Sequence, residues 1–313
     1  MRRRPPSLRG RTVAITGAAR GIGAQLARTL TERGARVALL GLEEPKLAKL
    51  ADELAEVSIA VSSGVPGGVS GGVSGGGAAY WPVDVTDADT LFRTARSVEA
   101  CFGTVDAVVA NAGVATAGLF RHADPDVWRR VVEVNLFGSV HTARAFLPAL
   151  IRSRGYYLQI ASLAALGPAP LLTAYCASKA GVEAFAHALD AEAAHHGVRT
   201  GVAYLSWTDT DMVRAGEHRA ALGRLRADLP WPAGRTYPLA PAVDRIATGI
   251  ERRARHVYAQ PWLRAAQLAR AAFPPLINRA ARRAVAELEA RPGEGSGASS
   301  DHSKTLSSRG VAG

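Results

Sequence analysis

Cysteine, methionine and lysine are scarce in this 313-residue chain: two cysteines, two methionines, and four lysines among 38 cationic side chains. Cys101 and Cys176 are too few for a disulfide framework, and neither stands in a Cys-x-x-Cys or Cys/His metal pattern. That usage fits a reducing compartment, so a cytoplasmic location is expected. No stretch reaches the ~18 consecutive apolar residues of a membrane span. The opening MRRRPPSLRGR is basic and lacks the apolar run of a secretory signal. The net charge of +11 is large, but no nucleic-acid-binding motif accompanies it. No nucleic-acid partner is expected, since only the charge favours one.

What is present is an apolar fraction of 48%, enough in a chain this long for one large α/β domain with appendages. TVAIT (12–16) reads as a strand that breaks into Gly17-Ala18-Ala19-Arg20-Gly21-Ile22-Gly23 and then a helical pattern through Arg33. RVALL (36–40) is a second strand and 43–56 a helix. A third strand near 79–83 ends in Asp84-Val85-Thr86-Asp87, and VDAVVA (105–110) ends in Asn111-Ala112-Gly113. A helical region over 125–153 carries Asn135, and YYLQIAS (156–162) ends in Ser162. A helix over 173–196 carries Tyr175 and Lys179, RTGVAY (199–204) is a sixth strand, and HVYA (256–259) a seventh. Strands alternating with helices predict an α/β fold with a doubly wound parallel β-sheet. Ligands of such sheets bind beyond the carboxyl ends of the strands, where Gly17, Asp84, Asn111, Ser162 and the loop after Tyr204 all fall.

Two local patterns carry chemistry. Glycines between a strand and a helix let backbone approach a pyrophosphate, and the helix N-terminus favours its charge. The spacing is G-x-x-x-G-x-G rather than the G-x-G-x-x-G of longer dinucleotide-binding domains; a plain αβ turn would also use glycine, but the flanking strand and helix favour the cofactor reading. Tyr175 and Lys179, four apart on a helix, share a face, where an ammonium can favour the phenolate and lower the tyrosine pKa toward working pH. Chance alone supplies a Tyr-x-x-x-Lys in about one such chain in eleven. The pair therefore gains meaning only from its surroundings.

Taken together, TGAARGIG (16–23), DVTD (84–87), NAG (111–113), Asn135 in VNLFG, Ser162 and YCASK (175–179) resemble the short-chain dehydrogenase/reductase family over roughly residues 10–260. The resemblance implies a Rossmann-like fold and an NAD(P)-dependent oxidoreductase that interconverts an alcohol and a ketone or aldehyde. It implies that Tyr175 is the general acid/base, that Ser162 hydrogen-bonds the substrate oxygen, and that Lys179 lowers the Tyr175 pKa and binds the nicotinamide ribose. Asn135 would hold a water linking Lys179 to solvent. Gly17, Gly21 and Gly23 would shape the pyrophosphate site with Ile22 beside it, Asp84 and Val85 would contact the adenine, and Asn111 would tie the fourth strand to the cofactor edge. Thr210 aligns with the residue that contacts the carboxamide. The alternative is a non-catalytic, cofactor-binding regulatory or scaffold protein of the same fold.

Two departures from the family pattern bear on specificity. The acidic residue that many NAD-preferring relatives carry at the end of the second strand is Gly41 here, which removes repulsion against a 2′-phosphate. Arg20 can pair with that phosphate, although Leu42 takes the next position and Glu43 and Glu44 are close. NADP(H) is favoured over NAD(H). After the sixth strand the family's Pro-Gly is replaced by Leu205-Ser206-Trp207.

A long connection, 206–235, carries Trp207, Met212, Leu222, Leu225, Leu229 and Trp231, as a lid over an apolar alcohol or carbonyl substrate would. The expected organisation is a single catalytic domain over 11–260 after a basic arm (1–10). It is interrupted by a disordered Gly/Ser-rich insertion (62–77), extended by a basic amphipathic helical segment (261–291), and ends in a disordered tail (292–313). Residues 252–283 hold eight arginines and no acidic residue, with Pro274-Pro275 expected to divide them into two helices. That segment is expected to pack on its own chain or a partner subunit, or else on an anionic membrane surface. Self-association as a homo-oligomer is expected from the family.

Overall fold

The computed structural model describes residues 7–61, 77–217 and 231–289, with 223, 226, 227 and 229 between the last two stretches. The Gly/Ser insertion up to residue 76 and the tail from residue 290 lie outside the described residues, as do Leu222 and Leu225. Seven strands form one sheet: β1 (Thr12–Thr16), β2 (Arg36–Gly41), β3 (Ala78–Pro82), β4 (Ala107–Ala110), β5 (Tyr156–Ile160), β6 (Arg199–Tyr204) and β7 (His256–Tyr258). Their order is β3-β2-β1-β4-β5-β6-β7, every pair parallel.

The helices are α1 (Gly21–Glu32), α2 (Glu44–Val61), α3 (Ala88–Phe102), α4 (Pro125–Val132), α5 (Gly138–Ser153), α6 (Thr173–Ala193), α7 (Asp211–Glu217), α8 (Leu239–Arg252), α9 (Leu263–Leu268) and α10 (Phe273–Glu289). Helices cover both faces of the sheet, which is why the strands read as unbroken apolar runs rather than alternating ones. Val37, Leu39 and Ile15 face one core with Leu26 and Leu30 of α1 and Ile246 of α8. Ala38, Leu40 and Val108 face the other, with Leu91 of α3 and Phe146 of α5. Successive strands are added outward from β1 in one direction up to β3 and in the other from β4 on, and that switch opens a crevice between β1 and β4 at the carboxyl edge.

The helical region 125–153 holds an irregularity that periodicity does not reveal. Residues Glu133–Phe137 form a π turn between α4 and α5, and Asn135 lies inside it. Widened turns of this kind occur often at functional sites.

The C-terminal segment packs on its own chain. Leu263 and Ala266 are buried with Ala165, Leu166, Ala186 and Tyr204, and Trp262 and Phe273 close over them. Three of its arginines are spent internally. Arg253 donates to the carbonyls of Arg154, Gly155 and Gly197, Arg255 lies 3.5 Å from Asp190, and Arg270 pairs with Glu183. The two prolines sit in the first turn of α10, where their missing N–H groups cost nothing. The division expected at Pro274-Pro275 falls instead just before them, at the short 3-10 turn Arg270–Ala272.

Candidate active site

The chain leaves β1 at Thr16 and turns through Gly17, whose φ of +64° lies in the region that favours glycine. A Cβ on Gly17 would stand 2.8 Å from Ala112 Cα, and one on Gly23 would strike the Gly17 carbonyl and come within 2.8 Å of Asn111 Nδ2. Asn111 Nδ2 donates to the carbonyls of Thr16 (2.9 Å) and Gly17 (3.1 Å). Thr16 Oγ1 accepts in return from the N–H groups of Asn111 (3.0 Å) and Ala112 (3.2 Å). The ends of β1 and β4 are thus laced together beside the glycine loop. Sequence reasoning passes over Thr16; a hydroxyl at the last position of the strand is its only local signal.

Arg20 is the N-cap of α1 and supplies no side-chain acceptor, so the first N–H groups of α1 have no side-chain cap. An uncapped helix N-terminus behind a tight glycine turn suits a pyrophosphate. A Cβ on Gly21 would lie 3.7 Å from the Thr210 methyl group, so the start of α7 closes on this loop. Ile22 packs against the core behind it. Arg20 Nε lies 3.3 Å from Glu43, which also pairs with Lys46 at 2.6 Å. Gly41 is buried, and a Cβ there would sit in ordinary van der Waals contact, 3.8 Å from Ala18 N and the Leu47 methyl groups.

At the end of β3, Asp84 Oδ1 accepts from Thr86 N (2.9 Å) and Thr86 Oγ1 (2.8 Å), and Oδ2 accepts from Arg130 (2.8 Å). Burial works to raise the Asp84 pKa, but the Thr86 and Arg130 contacts outweigh it and hold the carboxyl below its ordinary value. Arg130, on α4, is a second residue that sequence reasoning missed, since nothing local links it to a turn 46 positions earlier. The Val85 side chain is buried, packed against Gly138 of α5, and His141 Nδ1 lies 3.1 Å from the Val85 carbonyl.

Ser162 follows β5 in extended backbone, and its Oγ accepts from Ala164 N at 3.1 Å. Tyr175 and Lys179 lie one turn apart on α6, with the ammonium 5.6 Å from the centroid of the phenol ring. Lys179 is 4% exposed and donates to the Ile160 carbonyl at 3.0 Å; burial brings its pKa down to about 8. Burial pushes the Tyr175 phenol up, the Ser162 hydroxyl pulls it back, and Cys176 adds to the rise. Lys179 is not among the groups that shift this phenol. Among the chain's own groups desolvation is the larger effect, and it weakens the cation as well.

Asn135 Oδ1 accepts from Val114 N (2.8 Å), and Nδ2 donates to Val114 O (3.0 Å) and to Ser178 Oγ (2.9 Å) on α6. A Cβ on Gly113 would stand 3.2 Å from Asn135 Oδ1 and 3.7 Å from Lys179 Nζ, so both flank the same backbone. Both amide hydrogens of Asn135 are committed, and Oδ1 and the backbone carbonyl each already accept one hydrogen bond, so a relay water would donate to the second lone pair of one of these oxygens.

The structure therefore brings Ser162, Tyr175, Lys179 and Asn135 to one end of the sheet, beside a glycine cradle at the switch point. The fold defines a Rossmann-like α/β protein. The chain belongs to the short-chain dehydrogenase family, whose family model matches residues 11–220.

Over 206 residues it is 32% identical to dehydrogenase/reductase SDR family member 7B of Bos taurus, a match covering 66% of this chain and 60% of that protein. An uncharacterized oxidoreductase of Staphylococcus saprophyticus is 30% identical over 193 residues, 61% of this chain and 76% of that one. Among solved structures, the crystal structure of gox2181 superposes with a TM-score of 0.68 at 25% identity, covering 80% of this chain and 95% of that one. The chain thus spans less than two thirds of the bovine relative.

Proposed function

We propose that this protein is an NADP(H)-dependent oxidoreductase that interconverts an apolar alcohol and the corresponding ketone or aldehyde. The observation that carries the reading is the convergence of Ser162, Tyr175, Lys179 and Asn135 beside a glycine loop too tight for any Cβ at Gly23. The loop and the uncapped start of α1 fit a dinucleotide pyrophosphate, and the bound nicotinamide supplies or accepts the hydride. The chain has the remaining task of moving one proton and orienting one oxygen.

Tyr175 transfers that proton. Its phenol is the titratable group that meets the Ser162 hydroxyl, and a neutral hydroxyl beside it can hold a developing alkoxide without a metal. Lys179 keeps two hydrogens beyond the one given to Ile160, enough to hold ribose hydroxyls. A buried ammonium whose pKa lies near 8 also relays a proton readily at neutral pH. Asn135 locks α6 to the loop after β4 and so fixes where Lys179 points.

The preference for NADP(H) rests on the lack of a carboxylate at Gly41 and on two cations, Arg20 and Lys46, both within reach of Glu43. A 2′-phosphate arriving there can compete with Glu43 for the Arg20 guanidinium. Trp207, half-buried with the Arg226 guanidinium 5.0 Å from its ring, and the exposed Met212 and Trp231 favour an apolar substrate. The protein works as a homo-oligomer, which light scattering of the purified chain tests.

Steady-state absorbance at the nicotinamide band, with a panel of apolar ketones and alcohols, tests the activity; absence of turnover across the panel would refute it. Dissociation constants for NADPH and NADH before and after Arg20→Ala test the cofactor choice. NADPH should bind more tightly and lose affinity on substitution, and an unchanged NADPH affinity would remove Arg20 from the site.

A further inference from the structure

α6 carries a third titratable residue on the same stripe as Tyr175 and Lys179. Glu183 lies one turn beyond Lys179 with its side chain 4% exposed, and the proposed reaction makes no use of it. Its Oε1 accepts from Tyr204 OH at 2.6 Å and from Arg270 Nη1 at 2.9 Å, and its Oε2 accepts from Arg270 Nη2 at 3.0 Å. The same Nη2 donates to the Ala165 carbonyl at 3.1 Å. Ala165 N in turn donates to the Ser162 carbonyl at 2.9 Å. Gln267 supports the cluster by donating to Tyr204 OH at 3.2 Å, and His187 Nε2 lies 3.9 Å from Glu183.

A buried carboxylate needs a well-placed cation, and a planar guanidinium fork is the best one available. Burial alone does not require that cation to come from the C-terminal extension, beyond the family match that stops at residue 220. Nor does it require the cation to reach the loop behind Ser162 as well. The extension also presses on that loop directly, since a Cβ on Gly167 would stand 2.8 Å from the Phe273 ring. Arg270 thus spans the two segments that carry the proposed catalytic hydroxyls.

We propose that Arg270 is a positioning residue that clasps Glu183 on α6 and Ala165 beside Ser162, and so fixes the separation of the Ser162 and Tyr175 hydroxyls. The inference rests on the reading of the site given above. A simple ion pair holding the extension in place would leave that separation to the sheet and α6 alone.

Arg270→Gln by itself strands a buried carboxylate and loses stability under either account. The informative variant is the double substitution Glu183→Gln with Arg270→Gln, which removes both charges. Its expected behaviour is a melting temperature near wild type, an unchanged KM for NADPH, and a kcat on the order of tenfold or more lower. A second measurement needs no turnover: 19F titration of protein labelled with 3-fluorotyrosine, with the Tyr175 signal assigned through Tyr175→Phe.

Lys179, Cys176 and Ser162 are the groups facing that phenol, and only the Ser162 contact pulls its pKa down. Loss of the clasp should move the Tyr175 titration upward as Ser162→Ala does, and adding Ser162→Ala to the double variant should move it no further. An unchanged or lowered Tyr175 titration, or a kcat that returns to wild type together with the melting temperature, would overturn the proposal. An inactive wild type would refute the oxidoreductase reading and leave the 19F result to decide the role of Arg270.

Discussion

Lys179 is where stability and the proposed chemistry pull apart most plainly. Its ammonium is buried against one carbonyl, and its pKa falls from 10.5 to about 8. As pH rises through that window the folded chain gives up the proton before the unfolded chain does. The unfolded state then binds more protons, and stability increases with pH. The gain is about 3 kcal/mol between pH 8 and 10.5 at the usual conversion. Chemical denaturation of wild type and Lys179→Met across that range should show the difference between them narrowing in favour of wild type. Parallel curves would mean that the lysine is not desolvated as described. Below pH 8 Lys179→Met should match or exceed wild type in stability while losing turnover, since a cation that costs folding energy is kept for what it binds.

At the level of elements, the glycine loop and the π turn make opposite points about legibility. The spacing of Gly17, Gly21 and Gly23 is readable because a strand, a sharp turn and a helix start are local events. A substitution there has a local consequence. Gly23→Ala drives a methyl group into the Gly17 carbonyl and Asn111, so the β1–α1 turn must open. NADPH affinity should fall by more than tenfold, or about 1.4 kcal/mol, while circular dichroism keeps its α/β signature; isothermal titration calorimetry measures it, and unchanged affinity would count against the cradle. The π turn at Glu133–Phe137, by contrast, leaves no mark on apolar periodicity. Thr16 and Arg130 were illegible for a related reason. Their partners, Asn111 and Asp84, lie 95 and 46 positions away, and only the folded sheet brings them near.

Across the whole molecule, the parallel strands were readable because burial on both faces writes them as continuous apolar runs. The C-terminal extension was not, because composition counts arginines without saying where their guanidinium groups go. Arg253, Arg255 and Arg270 bind carbonyls or carboxylates of the same chain, and Leu263, Ala266 and Phe273 pack into it. Among the described residues no helix is long and apolar enough to cross a membrane. With Leu263, Ala266 and Phe273 packed into its own core, the full chain should not float with anionic liposomes. Flotation at physiological salt would show that the exposed Leu268 and Leu276, with the remaining arginines, are enough for attachment.

Truncation after Gln260 should lower the melting temperature, because it uncovers Ala165, Leu166, Ala186 and Tyr204 and leaves Glu183 without Arg270; calorimetry on the two chains measures the drop. The claim on which the whole account turns is that one phenol moves the proton. The most direct test is NADPH oxidation with an apolar ketone that the wild type reduces, repeated with Tyr175→Phe at matched cofactor saturation. The account predicts that NADPH binding persists while kcat falls at least 100-fold, the lower end of what a general acid contributes. A variant that keeps wild-type turnover would contradict it.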